Sequence, residues 1–218
     1  MGLFNAIMAL SGAADIDIIE DERMSRHTTY RVGGPASLFV TCQSYHGLRR
    51  AVEVLSREQI PWVLLGRGSN ILVSDAGYQG AVIVLGREFQ RAGIADDGAH
   101  VTVGAATVLS RLVNEMMSLG LSGLEFAVGI PGTVGGAVSM NAGTRREWIG
   151  QLVESLVTYV PGEGLRYYDH DDIYWGYRET GLPGSEIVLE ATLVLKPGKK
   201  DDIRERMERY LGRRRRSQ

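Results

Sequence analysis

The sequence predicts an α+β protein built from two successive units, and three observations carry that expectation. Short apolar runs of strand character alternate with segments whose apolar residues recur every three to four positions, the spacing of an amphipathic helix. The order strand, helix, strand, loop, strand fills roughly the first 90 residues, and a second unit follows. Glycine, 28 of 218 residues, is concentrated in a few short stretches with no fixed period. Such clusters mark backbone that turns sharply or approaches a ligand closely.

The N-terminal segment predicts a short amphipathic helix ending near Gly12; it lacks a basic leader and is too short to span a membrane. The turn signal Gly33-Gly34-Pro35 introduces a strand over 36–41. Leu48, Ala51, Val52 and Leu55 fall at i, i+3, i+4 and i+7, one face of a helix over about 45–58. PWVLLG, 61–66, predicts a buried strand running into the loop GRGSN, and AVIVLG, 81–86, predicts another strand. In the second unit, 100–105 predicts a strand, and Leu109, Leu112, Val113 and Met116 one face of a helix that Gly120 caps. Two strands are expected over 152–160 and 187–195, with Ile187, Leu189, Ala191, Leu193 and Leu195 on one side. The last segment predicts a helix with Asp201 and Asp202 at its start and arginines at its end, as the helix dipole favours. Its apolar face, Ile203, Met207, Tyr210 and Leu211, has no later element to cover it, and the run Arg213–Arg216 is expected to be a solvated end. The expected divisions are 1–88, 89–198 and a final helix over 199–218.

Composition excludes several classes. A net charge of −2 gives no field that draws the chain to nucleic acid or an anionic membrane. The single cysteine, Cys42, can form neither an internal disulfide nor a thiolate metal site, and is expected to be a small buried or half-buried residue after a strand. His27, His46, His100 and His170 show no ligand spacing, so no metal site is expected.

Four stretches can carry chemistry. Gly66-Arg67-Gly68-Ser69-Asn70 directly follows a strand. Its glycines let successive N–H groups converge on an anion, and Ser69 and Asn70 add donors. It lacks the Lys-Ser/Thr pair of a P-loop and the third glycine of a dinucleotide fingerprint, so it reads as a pyrophosphate cradle or an ordinary tight turn. Gly129-Ile130-Pro131-Gly132-Thr133-Val134-Gly135-Gly136-Ala137-Val138 is rich in small residues yet flanked by apolar ones. It reads as backbone packed along a flat ligand or as a buried crossover. Tyr177-Arg178 suits an anionic or planar substrate, or a surface arginine whose stem packs on an aromatic ring. His27–Gly34, with two threonines and a glycine pair, serves a phosphate or a turn equally well.

HTTYRVGGPA, LGRGSNILVSDAGYQGAVI, GLEFAVGIPGTVGGAVSMNAG and GYR, in that order and spacing, resemble the UDP-N-acetylenolpyruvoylglucosamine reductase family over about 20–218; GIPGTVGGAV with MNAG is the most specific part. The resemblance implies a flavoprotein that binds FAD non-covalently between two α+β subdomains, in the fold of the vanillyl-alcohol-oxidase/PCMH type. It implies that Gly66, Arg67, Gly68, Ser69 and Asn70 hold the FAD pyrophosphate. By the same likeness Gly129, Ile130, Pro131, Gly132, Gly135 and Gly136 run along the cofactor, with Thr133 and Ser139 as polar contacts. NADPH is the implied hydride donor, and a cytoplasmic UDP-sugar, UDP-N-acetylglucosamine enolpyruvate, is the implied acceptor. It is reduced to UDP-N-acetylmuramate, a peptidoglycan precursor. Arg178 is the implied catalytic group that stabilises an enolate-like intermediate, with Tyr177 beside it as a substrate contact.

The family's proton donor is a serine in a later SAGS-type motif of a third domain, and a glutamate near the family's C-terminus helps polarise the same site. Neither has a counterpart here, and Ser217 is not in such a context. The expectation is a chain that binds FAD and does not complete turnover, its third domain supplied in cis or in trans. A stand-alone flavin-binding module, half of a split enzyme, or another flavin oxidoreductase of the same fold are the alternatives. Thr144–Glu147 also departs from the smaller turn of many relatives.

Overall fold

Helix α1 (Gly2–Leu10) buries Ala6 and Leu10, and the chain turns away at Gly12, whose φ is +79°. A four-stranded sheet follows, formed by β1 (Ile16–Arg23), β2 (Pro35–Cys42), β3 (Trp62–Leu64) and β4 (Tyr78–Leu85), with helix α2 (Tyr45–Arg57) between β2 and β3. The strand order is β1-β2-β4-β3; β4 runs parallel to β2 and β3, and β1 is antiparallel to β2. The helix α2 buries Leu48, Ala51, Val52 and Leu55, as the spacing predicts, and the Ser44 hydroxyl caps it by accepting from the Gly47 N–H at 3.0 Å. This computed structural model describes residues 2–217, and the side chain of Ser217 lies outside the described residues.

Two expectations for this unit are corrected. The segment 61–66 is not a buried strand: β3 holds only three residues at the sheet edge, and Val63 and Leu64 are exposed. Among the described residues only β4 pairs with it, so one of its sides meets no described strand. The strand β1 goes unpredicted because five of the eight residues of IDIIEDER are charged; as the other edge strand it tolerates polar residues along its length. Cys42 is buried, and burial, with the nearby Asp15 carboxylate, pushes its thiol up to about 12. It is inert.

The second sheet contains β5 (Ala92–Ile94), β6 (His100–Gly104), β8 (Val153–Val160), β9 (Gly164–Asp169) and β12 (Ile187–Val194), ordered β5-β6-β12-β8-β9. Around it lie helices α3 (Leu109–Leu119), α4 (Val134–Ser139) and α5 (Lys200–Ser217). Two small pairs complete it: β7 (Leu121–Ser122) with β13 (Lys196–Pro197), and β10 (Trp175–Gly176) with β11 (Glu179–Thr180). Gly120, at φ +74°, ends α3 as a left-handed cap. In β12 the five predicted inward residues are buried or continue into buried Leu195, but a register shift between Val188 and Glu190 also buries Val188.

Contacts divide the chain into a unit that runs to Phe89 and takes in Val160–Gly164, and a unit of Gln90–Tyr159 with the residues from Leu165 onward. The last helix therefore does not stand apart at 199–218, and its apolar face is not uncovered. Ile203 and Met207 are buried, Leu211 packs at Gly129, and Arg206 pairs with Glu125 at 2.7 Å. The arginine run is not wholly solvated either, since Arg214 is half-buried and donates to the Phe126 carbonyl at 3.1 Å.

Candidate functional site

In the first unit the loop Gly66–Asn70 is shaped by what lies under it. Gly68 has φ +60°, and a Cβ there would strike the His27 carbonyl oxygen and sit 2.9 Å from the Thr28 Cα. The Thr29 N–H donates to the Gly68 carbonyl at 3.0 Å, and the Gly34 N–H to the Ser74 carbonyl at 2.8 Å. The Thr28 hydroxyl donates to the Val32 carbonyl at 2.9 Å. His27–Gly34 is thus the floor of the loop, built as a turn. His27 itself stacks on Phe39 at 4.1 Å and meets the buried Glu22 carboxylate at 2.9 Å. That bond, with the charge of Arg26, holds Glu22 below the usual carboxylate range despite burial. Among the described residues, no backbone carbonyl accepts from the N–H groups of Gly66, Arg67, Gly68 or Asn70. Gly66, Arg67 and Asn70 are exposed, Ser69 is half-buried and Gly68 is buried. Four unpaired amide donors in one five-residue bend form the kind of nest that binds an anion.

The glycine-rich stretch of the second unit is not a featureless loop. It is a turn that enters α4, with Thr133 as N-cap: its hydroxyl oxygen accepts from the Gly136 N–H at 3.3 Å. The Leu109 N–H donates to the Gly132 carbonyl at 3.1 Å, and the N–H groups of Val134 and Gly135 donate to Thr107 and Ala105 at 2.9 and 2.8 Å. Gly135 must lack a side chain because a Cβ would lie 2.7 Å from that of Ala105. Gly136 is exposed, and among the described residues a Cβ there would meet only the Thr133 hydroxyl, at 3.5 Å. Gly129 and Gly132 have φ of +76° and +123°. Ile130 is half-buried and Pro131 exposed, and the exposed Ser139 donates its hydroxyl to the Gly135 carbonyl at 2.9 Å. The fold thus consumes the N–H groups of Gly135 and Gly136, whereas those of Gly132 and Thr133 meet no backbone carbonyl among the described residues. The buried Thr107 hydroxyl, beside the start of α4, is also without a partner.

Tyr177 and Arg178 form the two-residue turn between β10 and β11, and both are exposed. Arg178 has φ +60°, a left-handed conformation that costs a residue with a Cβ about 1–2 kcal/mol. Burial, and secondarily the like charge of Arg178, lowers the pKa of Arg214, so two guanidinium groups share this electropositive region. Asn141 of the MNAG segment goes unpredicted although it fixes this turn. It is buried at φ +39°, donates to the Gly176 carbonyl at 2.7 Å and accepts from the Gly150 N–H at 3.1 Å. An asparagine just past a helix end, where left-handed backbone is common, is the one sequence signal for it. The turn Thr144–Glu147 closes on itself, the Thr144 N–H donating to the Glu147 carbonyl at 2.7 Å.

Each unit by itself presents groups that suit part of a flavin dinucleotide. The nest suits a pyrophosphate, while the Gly132 and Thr133 amides, the Thr107 hydroxyl and the open face at Gly136 suit a planar ring bearing acceptors. Among the described residues no cluster of His, Cys, Asp or Glu is arranged to hold a metal ion.

Comparison with known proteins agrees. Residues 36–160 match the FAD binding domain family. The chain is 39% identical over 201 residues to a UDP-N-acetylenolpyruvoylglucosamine reductase of Anoxybacillus flavithermus, covering 91% of this chain and 66% of that protein. The crystal structure of a UDP-N-acetylenolpyruvylglucosamine reductase from Thermus caldophilus superposes with a TM-score of 0.80 at 37% identity, over 93% of this chain and 70% of that one. A BBE-like protein of Physcomitrella patens gives a TM-score of 0.68 at 15% identity, over 88% of this chain and 44% of that one, which shows a shared fold alone. The fold is the α+β FAD-binding fold of the vanillyl-alcohol-oxidase/PCMH type. The chain spans 62–67% of the length of the curated relatives it matches.

Proposed function

The chain belongs to the family of UDP-N-acetylenolpyruvoylglucosamine reductases and carries an FAD binding domain, and on that basis we propose that it is the flavin-holding part of an NADPH-dependent reductase of UDP-N-acetylglucosamine enolpyruvate. UDP-N-acetylmuramate is the product, and the cytoplasm, where nucleotide sugars are made, is the compartment. No helix among the described residues is long and apolar enough to cross a membrane. The observation that carries the reading is the set of donors the fold leaves over. These are the amides of Gly66, Arg67, Gly68 and Asn70 in one unit, and those of Gly132 and Thr133 with the Thr107 hydroxyl in the other.

Gly66–Asn70 would hold the pyrophosphate of FAD, while Gly129–Gly136, with Thr133 and Ser139, would lie along the rest of it. When bound, FAD supplies the redox chemistry, taking a hydride from NADPH and delivering it to the enolpyruvyl β-carbon. Arg178 serves the substrate: its guanidinium stabilises the negative charge that develops on the enolpyruvyl carboxylate as the β-carbon is reduced. Tyr177 flanks it, and Arg214 deepens the positive potential that an anionic substrate meets. No residue of this sequence is assigned as the proton donor to the α-carbon. On this reading these 218 residues would bind FAD, and the proton-donating step is left unassigned among them.

The absorbance spectrum of the purified chain tests the reading directly. Bound or added FAD should give visible flavin bands that survive gel filtration at one flavin per chain; failure to carry or take up FAD sinks it. Arg178→Ala in the complete enzyme should slow substrate reduction by about 100- to 1000-fold, while flavin reduction by NADPH stays near wild type. Equal loss in both half-reactions would remove Arg178 from its role.

A further inference from the structure

We infer that Asn141 is a positioning residue that fixes the Arg178 turn to the C-terminal end of α4, so that one six-residue helix sets both ends of the site in the second unit. The inference rests on the reading of Arg178 given above. At the N-terminal end of α4 stand Thr133 and Gly136, the residues proposed to meet the flavin. At its other end the chain passes through Ser139 and Met140 to Asn141, and both rungs of the β10–β11 hairpin are tied there. The Asn141 side-chain amide donates to the Gly176 carbonyl at 2.7 Å, on the rung Gly176↔Glu179. The Thr180 hydroxyl donates to the Ser139 carbonyl at 3.2 Å, on the rung Trp175↔Thr180. Arg178 and Tyr177 are the two residues beyond those rungs.

Three features show that Asn141 is committed to this task. It is buried, with 4% of its surface exposed, and the second half of its amide accepts from the Gly150 N–H at 3.1 Å, so donor and acceptor are each matched. It holds a left-handed φ of +39°, which asparagine tolerates better than other residues with a Cβ. The Trp175 indole packs directly on Gly150, where no Cβ could fit, and its Nε1–H donates to the His170 carbonyl at 3.2 Å. The base of the hairpin is therefore fixed while its tip is exposed. Two residues at an exposed tip, one of them strained, keep a defined place only if the base beneath them cannot shift.

The first measurement needs no turnover. In the purified chain, Asn141→Ala should raise amide hydrogen exchange across 175–180 by roughly fivefold or more, the equivalent of one lost hydrogen bond, while α4 exchanges at wild-type rates. Hairpin exchange at wild-type rates, or a rise spread evenly over the whole unit, overturns the inference. Thr180→Val removes only the second tie, at a half-buried surface position, and should raise exchange in the same segment by a smaller factor. If Asn141→Ala fails to fold, Thr180→Val alone decides, and no rise there overturns the inference. The second measurement is a double-mutant cycle on the rate of substrate reduction by the reduced, FAD-loaded enzyme. Asn141→Ala should slow this step and leave NADPH-driven flavin reduction unchanged, and its effect should vanish when Arg178 is already alanine. Additive effects overturn the inference. An Arg178→Ala enzyme with wild-type substrate reduction instead overturns the role proposed for Arg178, a result separable from the exchange data.

Discussion

The two glycine-rich stretches look alike in the sequence and are built in opposite ways. Gly66–Asn70 owes its shape to a missing side chain. Gly68 lies against the backbone of His27 and Thr28, and nothing but hydrogen can occupy its Cβ position. The second stretch also needs a missing side chain, at Gly135 against Ala105, but side chains that are present hold it in place. Thr133 caps α4, Glu125 accepts from Gly123, Ser122 and Arg206, and Leu211 and Arg214 of α5 pack beside Gly129. The first arrangement leaves a row of amides unpaired, and the second uses up most of its own and leaves a few. The lesson is that glycine content marks a candidate binding loop without saying which donors remain for a ligand; only the hydrogen-bond accounting does that.

Substitutions can break or sharpen this contrast, and the largest effect should come from the first loop. Gly68→Ala adds a Cβ into the His27 carbonyl at a positive φ, and should cost about 2–4 kcal/mol in stability and abolish FAD retention. Chemical denaturation with and without FAD measures both; a variant that melts like wild type and stays yellow would show that the loop is not closed against its floor. Next is Glu125→Gln, which removes the charge from a buried pair whose arginine side chain is 37% exposed. Solvent at Arg206 moderates the loss to about 1–3 kcal/mol. Burial opposes ionisation of Glu125, but the Arg206 guanidinium and the Gly123 and Ser122 donors outweigh it and hold the carboxyl below its ordinary range. A depressed folded-state pKa contributes stability that is present above the unfolded value of about 4.3 and is lost as pH falls through the folded value. Wild-type stability should therefore drop on acidification below about pH 4, and Glu125→Gln should flatten that limb. Thermal melts across pH 3 to 7 give the answer, and parallel curves would count against the pair. The smallest effect belongs to Thr107→Val, which deletes a buried hydroxyl without a partner and keeps the shape. Without ligand the change should lie within about 1 kcal/mol of neutral, whereas the Kd for FAD should rise. Unchanged FAD affinity would remove Thr107 from the site.

What the sequence reveals follows the same division. The faces of α2 and α3 are legible because apolar residues at helical spacing are buried where the spacing puts them. Edge strands are not: β1 carries charges on residues that solvent reaches, and β3 is too short for a period to show. The helix α4 hides because two of its six residues are glycine, and the capping hydroxyl of Thr133 is its only marker. The GYR motif singles out Arg178 in the sequence, and the structure puts it in the exposed turn between β10 and β11. The tie from Asn141 to Gly176 spans 35 positions, and no local pattern encodes a hydrogen bond across that separation. The covered face of α5 is illegible for the same reason, since its partners, Glu125, Phe126 and Gly129, lie more than 80 positions earlier.

Val160–Gly164, five residues of the first unit running from the last residue of β8 to the first of β9, limit how this gene can be divided. A break after Phe89 leaves the first piece without that segment and the second piece with a loop folded for a surface it no longer has. Neither unit is a contiguous stretch of coding sequence, so simple exchange or duplication of half the gene does not yield a whole unit. The pair is expected to be inherited, expressed and degraded together, and a workable two-piece version requires the cut to fall elsewhere.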